Sequence, residues 1–204
     1  MKASAPIIGV DLDNTIICYD AAFHLAALDR GWIDPSTPAA KTAVKSAVLA
    51  KAGNQGWTEL QGFVYGPGLK AATAYPGVVE FFQTCGRHQV PVVIVSHKTK
   101  HAAAGPAYDL LEAAAGWLKT SGLLDLSSHS AEPVIFTETR ADKLEVVRRL
   151  GCATLIDDLP EVFREPGYPR ETNFILFDPD GAHADWTASP RASSWAEITS
   201  RLFP

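Results

Sequence analysis

Ile7-Ile8-Gly9-Val10-Asp11-Leu12-Asp13-Asn14-Thr15 is a short apolar run that stops at two carboxylates. Side chains two apart on an extended chain point the same way, so Asp11 and Asp13 face one place. Two anions held that close repel. Either one of them shifts its pKa or a cation sits between them. Thr15 adds a hydroxyl close by. The plainer alternative is a strand running into an Asx-rich turn, because Asp and Asn are favoured turn residues.

Outward from this segment, apolar and mostly β-branched runs recur at Val92–Val95, Pro133–Phe136, Ala153–Ile156 and Phe174–Phe177. They are continuous rather than alternating, which is how strands buried on both faces of a parallel sheet read. Helical patterns fall between most of them. One opens at Pro76 and ends at Gly86; another runs from Tyr108 to Leu118 with Leu110, Leu111, Ala114, Ala115 and Leu118 on one face. Thr139-Arg140-Ala141-Asp142 has capping-box spacing and is followed by Leu144, Val146, Val147 and Leu150 before Gly151. Repeated βα alternation implies a doubly wound α/β fold with a parallel sheet.

One stretch breaks this rhythm. Between Ile16 and Tyr75 about sixty residues intervene with no convincing strand, too many for a βα loop. Helix-forming runs at Ala21–Asp29 and Ala39–Ala52 lie within it, followed by Asn54, Gln55, Trp57, Gln61 and Tyr65 interleaved with glycines. Sugar and nucleotide pockets use such polar-aromatic mixtures, and so do loops packed by their own aromatics.

The bulk numbers narrow the class. A chain of 204 residues, 47% hydrophobic and 20% charged, is an ordinary globular protein with one main core. A net charge of −5 and no long Lys/Arg stripe argue against a nucleic-acid binder; a small-molecule partner fits better. Lys2 precedes an apolar stretch that Asp11 interrupts too early for a secretory h-region, and no run reaches membrane-spanning length. Cys18, Cys85 and Cys152 are scattered without CxxC spacing, which points to a reducing cytoplasm.

In such sheets ligands bind beyond the carboxyl ends of the strands. The first run ends at Asp11 and Asp13, the second at Ser96-His97-Lys98-Thr99 and the fourth at Asp157-Asp158, while Lys143 opens the helix before the fourth. Asp-x-Asp-x-Thr, then a lone Ser, a Lys and a terminal acidic pair, each at a strand end and in this order, resemble the four motifs of the haloacid-dehalogenase (HAD) superfamily. Most members are Mg²⁺-dependent phosphatases. The resemblance implies a Rossmann-like core from residues 1–16 and 76–204, with 17–75 as a helical cap inserted after the first strand. It also favours Asp158 over Asp157 as direct metal ligand, a choice the residues themselves leave open.

Chemistry points to the same roles. Phosphoester hydrolysis needs a nucleophile, cations for the equatorial oxygens and an acid for the leaving group. Asp11 suits the nucleophile and Asp13 the general acid and base. A hard Mg²⁺ would take oxygen ligands from Asp11, the Asp13 carbonyl and Asp157 or Asp158. Asn14, Thr15, Ser96 and Lys143 would hold the phosphate; a Lys in a first helical turn opposes the macrodipole and gains nothing there locally. His97 and Lys98 would meet a second anionic group, and Trp57, Gln61 and Tyr65 the rest of a small phosphorylated metabolite, with a sugar phosphate or nucleotide favoured. Dehalogenases lack the second Asp of the motif, so Asp13 favours phosphoryl chemistry. Two alternatives use similar parts: a phosphomutase, and a phospho-accepting receiver domain, whose acidic pair comes first in the chain rather than last.

Overall fold

The computed structural model describes residues 6–126, 132–188 and 190–204; Lys2 lies outside them. In chain order the elements are β1 (Ile7–Val10), β2 (Ile17–Cys18), α1 (Asp20–Asp29), α2 (Lys41–Tyr65), a 3₁₀ turn (Pro67–Ala71), β3 (Thr73–Ala74), α3 (Val78–Arg87) and β4 (Val92–His97). They continue with α4 (Leu110–Ser121), α5 (Leu123–Leu126), β5 (Val134–Thr137), α6 (Arg140–Leu150), β6 (Cys152–Asp157), α7 (Pro160–Arg164), β7 (Asn173–Phe177), β8 (Arg191–Ala192) and α8 (Trp195–Leu202).

Two compact units emerge. The first comprises residues 1–16, 74–97 and 122–204. Its six-stranded sheet has the order β5-β4-β1-β6-β7-β8, and every pairing is parallel. This is the doubly wound α/β architecture anticipated from the continuous apolar runs. Val93, Val95 and Leu155 of the sheet pack with Leu144 and Val147 of α6 and Val162 of α7 in one core cluster. Thr139 caps α6 as its spacing predicts, its hydroxyl accepting the Asp142 amide at 3.1 Å. The short strand β8 leaves no signal in the sequence, because two residues carry too little hydrophobic pattern to register.

The second unit comprises residues 17–73 and 98–121. The insertion anticipated at 17–75 is therefore joined by a later segment that the sequence reading counted with the core. Packing explains the regrouping. Gly62 has no side chain, and a Cβ there would sit 2.8 Å from the Ala102 methyl and 2.9 Å from the Ala104 carbonyl. A Cβ on Gly66 would lie 2.9 Å from that of Tyr108, and the Trp117 indole donates to the Ala72 carbonyl at 3.1 Å. Such tight backbone approaches leave no trace in a hydropathy pattern.

Two further differences follow from local chemistry. The glycine-rich stretch after Ala52 is helical, not a loop: Gly53, at φ 67° and ψ −170°, kinks the chain and a second helical run continues to Tyr65. The region expected to lack strands holds β2 and β3, which pair as a separate two-stranded ribbon. Among the described residues no helix is long and apolar enough to cross a membrane.

Gly77, at φ 90°, precedes α3, and a Cβ there would meet the Trp195 Cβ at 2.9 Å; Gly122, at φ 69°, has open space around it. Gly77→Ala should cost about 1–3 kcal/mol from backbone strain plus the clash, and Gly122→Ala only the strain. Urea unfolding of both variants checks the ordering, and equal losses would show that the Gly77 contact relaxes freely.

Candidate active site

β1 lies at the centre of the sheet, with β4 and β5 on one side and β6, β7 and β8 on the other. The chain winds outward from β1 in opposite directions, which opens a crevice beyond its carboxyl end. Val10 is in register with Ile94 on β4 and Ile156 on β6, so the next residue, Asp11, stands level with Val95 and Asp157. The Asp11 amide donates to the Ile156 carbonyl at 2.9 Å, extending the ladder one step past the strand and fixing the backbone of the first acid.

Lys143 reaches this point from the first turn of α6. Its Nζ donates to Asp11 Oδ1 at 2.5 Å and to Asp157 Oδ2 at 2.6 Å. All three groups are buried, with relative exposures of 1% for Lys143, 7% for Asp11 and 0% for Asp157. The other oxygen of Asp157 accepts the Leu159 amide at 3.0 Å, so both of its oxygens are engaged. The dipole-opposed placement noticed in the sequence has its reason here: two buried carboxylates hold the ammonium that the helix end disfavours.

One ammonium cannot neutralise the acids that converge on it. Burial pushes the Asp11 carboxyl up to about 7; Lys143 opposes the rise, and Asp157 and Asp13 add to it. For Lys143, burial alone would lower the pKa, but Asp11 and Asp157 together hold it above its ordinary value. The two directions agree because Lys143 is shared between two carboxylates. One oxygen each from Asp11, Asp157 and Asp158 lie within 4.8 Å of one another. An all-oxygen, excess-negative set of this kind suits a hard divalent cation, which would return Asp11 to its ionised form.

The turn after β1 is held at several points. Asn14 takes the left-handed conformation at φ 57°, and the Ile16 amide donates back to the Leu12 carbonyl at 3.0 Å. Thr15 is fully buried; its hydroxyl approaches Asp158 Oδ1 at 3.4 Å. Asp13 and Asn14 are half-buried on this turn. Ser96 is fully buried, and its hydroxyl has no hydrogen-bond partner among the described residues. An orphaned buried hydroxyl is costly unless something else completes it, and a phosphate oxygen would. His97 is exposed, with Nε2 at 2.9 Å from the Glu138 carbonyl.

The remaining sequence candidates belong to the second unit. Trp57 is nearly buried and stacks on Phe23 at 4.9 Å, so its ring packs within the second unit. Tyr65 receives a hydrogen bond from Lys41 Nζ at 3.1 Å, and Lys98 Nζ stands 5.2 Å from its ring centre. Gln61 is half-buried.

Two residues of consequence escaped the sequence reading. Asp178, just past β7 and 4% exposed, accepts the Ala182 and His183 amides at 2.8 and 3.2 Å and pairs with Arg191 at 3.1 Å. The rule that found the other acids, a carboxylate directly after an apolar run, applies to it equally. Trp195, whose indole donates to the Thr15 carbonyl at 3.0 Å, has no such local signal.

No family model matches the chain, and no curated relative does. Solved structures do. A HAD family hydrolase from Deinococcus radiodurans R1, with bound phosphate and sodium, is 17% identical, with 98% of this chain and 96% of that one covered at a TM-score of 0.59. A dehalogenase in an intermediate complex is 13% identical, with 98% of each chain covered at a TM-score of 0.58. The HAD hydrolase YfnB from Bacillus subtilis, bound to magnesium, is 13% identical, with 99% of this chain and 100% of that one covered at a TM-score of 0.53. At these identities the likeness is one of fold: the chain has the Rossmann-like α/β fold of the HAD-superfamily hydrolases.

The buried triad sets a pH dependence. In the fold Asp11 keeps its proton up to about 7, whereas an unfolded Asp releases it near 4. Its contribution to stability is therefore greatest below the unfolded value and falls as pH rises through that window. Lys143→Met should cost about 3–5 kcal/mol at pH 8, where two buried carboxylates lose their shared cation, and clearly less at pH 5. Urea titrations in EDTA at both pH values test this; a loss independent of pH would mean that Lys143 acts through packing alone.

Proposed function

We propose that this protein is a Mg²⁺-dependent phosphohydrolase that cleaves a small phosphomonoester by way of a phosphoryl group on Asp11. The observation that carries this reading is the Lys143 bridge from Asp11 to Asp157, with Asp158 beside it and Asp13 following on the same turn. Asp11 and Asp158 would hold the cation together with the Asp13 carbonyl, since both oxygens of Asp157 already accept hydrogen bonds. When bound, the cation would supply positive charge against the phosphoryl oxygens and keep Asp11 ionised.

The residues then divide the chemistry. A carboxylate oxygen of Asp11 attacks phosphorus, the bond from phosphorus to the ester oxygen breaks, and the departing oxygen takes the proton of the Asp13 carboxyl. In the second half a water gives its proton to Asp13 as its oxygen attacks phosphorus, and the bond to Asp11 breaks to release phosphate. Lys143 steadies charge on the transferred group from the Asp11 side. The orphaned Ser96 hydroxyl donates to one of its oxygens.

A second reading has one observation in its favour, the dehalogenase among the structures of like fold. Asp13 and the surplus of acids speak against it, because displacing halide from carbon needs neither a leaving-group acid nor a cation. Selection of the substrate we assign to Gln61, Tyr65 and Lys98, with Trp57 as their packed support.

Phosphate release from a panel of phosphorylated metabolites, with halide release from 2-haloacids alongside, separates the readings. Phosphate should appear with Mg²⁺, vanish in excess EDTA and return on adding the metal. Asp11→Asn should lose at least ~10³-fold in kcat while keeping the fold. Tyr65→Phe or Lys98→Gln should weaken the preferred metabolite yet spare a generic aryl phosphate. Halide release without phosphate release would overturn the proposal.

A further inference from the structure

Asp13 sits on a turn whose two ends are fixed by different means. On the near side the Asp11 amide is bonded to β6, at the Ile156 carbonyl. On the far side Thr15 is gripped twice: its hydroxyl meets Asp158, and its carbonyl accepts the Trp195 indole N–H at 3.0 Å across 180 positions of sequence. The Ile16 carbonyl accepts the Tyr75 amide at 2.9 Å directly after it.

The indole is aimed by a chain of local restraints. The short strand β8 pairs with β7, and the Asp178 amide donates to the Ala192 carbonyl at 2.9 Å, which sets the register of the segment leading to α8. Ser194 caps α8 by accepting the Glu197 amide at 3.2 Å, and Glu197 Oε2 accepts the Ser193 amide at 2.9 Å in return. Trp195 is thereby the first helical residue, at a defined angle. Its fully buried ring lies 4.8 Å from that of Phe81 and 5.7 Å from that of Phe177, and Gly77 leaves room for its Cβ. An indole N–H can only donate, and the buried Thr15 carbonyl is the acceptor it meets.

We propose that Trp195 is a positioning residue for proton transfer: by holding the Thr15 carbonyl it fixes the turn that carries Asp13. This rests on the phosphohydrolase reading, in which Asp13 protonates the leaving oxygen. Packing by the ring supports the core generally; the N–H bond acts on this turn specifically. Loss of the bond lets the carboxyl drift from the leaving oxygen while Asp11, anchored on β6 and Lys143, keeps its place. The defect then grows with the need for an acid: large for an alkoxide leaving group, small for one that departs readily as an anion.

Trp195→Phe keeps most of the packing and removes the N–H. The measurement is single-turnover release of the leaving alcohol, with Mg²⁺, from glycerol 3-phosphate or the best alkyl ester found and from p-nitrophenyl phosphate. Release from the alkyl ester should fall by ~10–100-fold and from the aryl ester by less than ~3-fold. Replacement of Trp195 by its benzothiophene isostere, which keeps the shape and lacks the N–H, should reproduce the split. Equal losses on both esters, or full activity of the isostere, would overturn the proposal. Amide hydrogen exchange gives a readout independent of activity: Trp195→Phe should speed exchange in the peptide spanning 12–16 while β4 and β6 stay protected. If the wild-type protein released phosphate from no ester, the functional reading would fall, and exchange would still decide whether the indole holds the turn. Unchanged exchange there, or faster exchange throughout, would refute the positioning role.

Discussion

The ammonium of Lys143 between the carboxylates of Asp11 and Asp157 is the contact on which the site's construction depends. It ties three elements at one buried point: the end of the central strand β1, the end of its neighbour β6 and the first turn of α6, the helix that connects β5 to β6 in the chain. A buried ion pair contributes little net stability against an apolar replacement, because desolvation offsets attraction. Its value is geometric. With Asp157 committed to Lys143 and to the Leu159 amide, only a narrow range of positions for Asp11 satisfies all partners.

The same arrangement suits the role proposed for Asp11. A carboxylate in water is a poor nucleophile and a well-solvated one; at this strand end Asp11 has lost water and gained one fixed cation. Opposing demands, burial against Lys143, leave its protonation responsive to any additional positive charge. In the proposed reaction, binding of a cation and readiness of Asp11 as nucleophile would thus be one event, not two.

Legibility in the sequence followed the range of the interaction. The five longer strands β1, β4, β5, β6 and β7, the capping of α6 and the acids at strand ends are written in stretches of a few residues, through continuous apolar runs and spacing, and were readable as such. Lys143 was readable for a subtler reason, since a charge that conflicts with its own helix needs a partner elsewhere. Besides the two-residue strands β2, β3 and β8, three features were not readable. Residues 98–121 join the second unit through close backbone approach at Gly62 and Gly66, which hydropathy does not record. The second half of α2 is hidden by glycines that ordinarily signal loops. Trp195 meets Thr15 through a single bond between distant positions, and only coordinates reveal such a partner.

The position of β1 has a consequence for how the chain is made. Among the described residues it is the first strand, it lies inside the sheet, and Ile8 pairs with Val92 on one side and Thr154 on the other. During synthesis an apolar strand with both edges bare must wait for most of the polypeptide to leave the ribosome. The chain also passes between the two units four times, near residues 16, 73, 97 and 121, so neither unit is a continuous segment that matures alone. Folding of this protein therefore depends on late, long-range pairing, in which the central strand is completed from both sides only after residue 154 has been made.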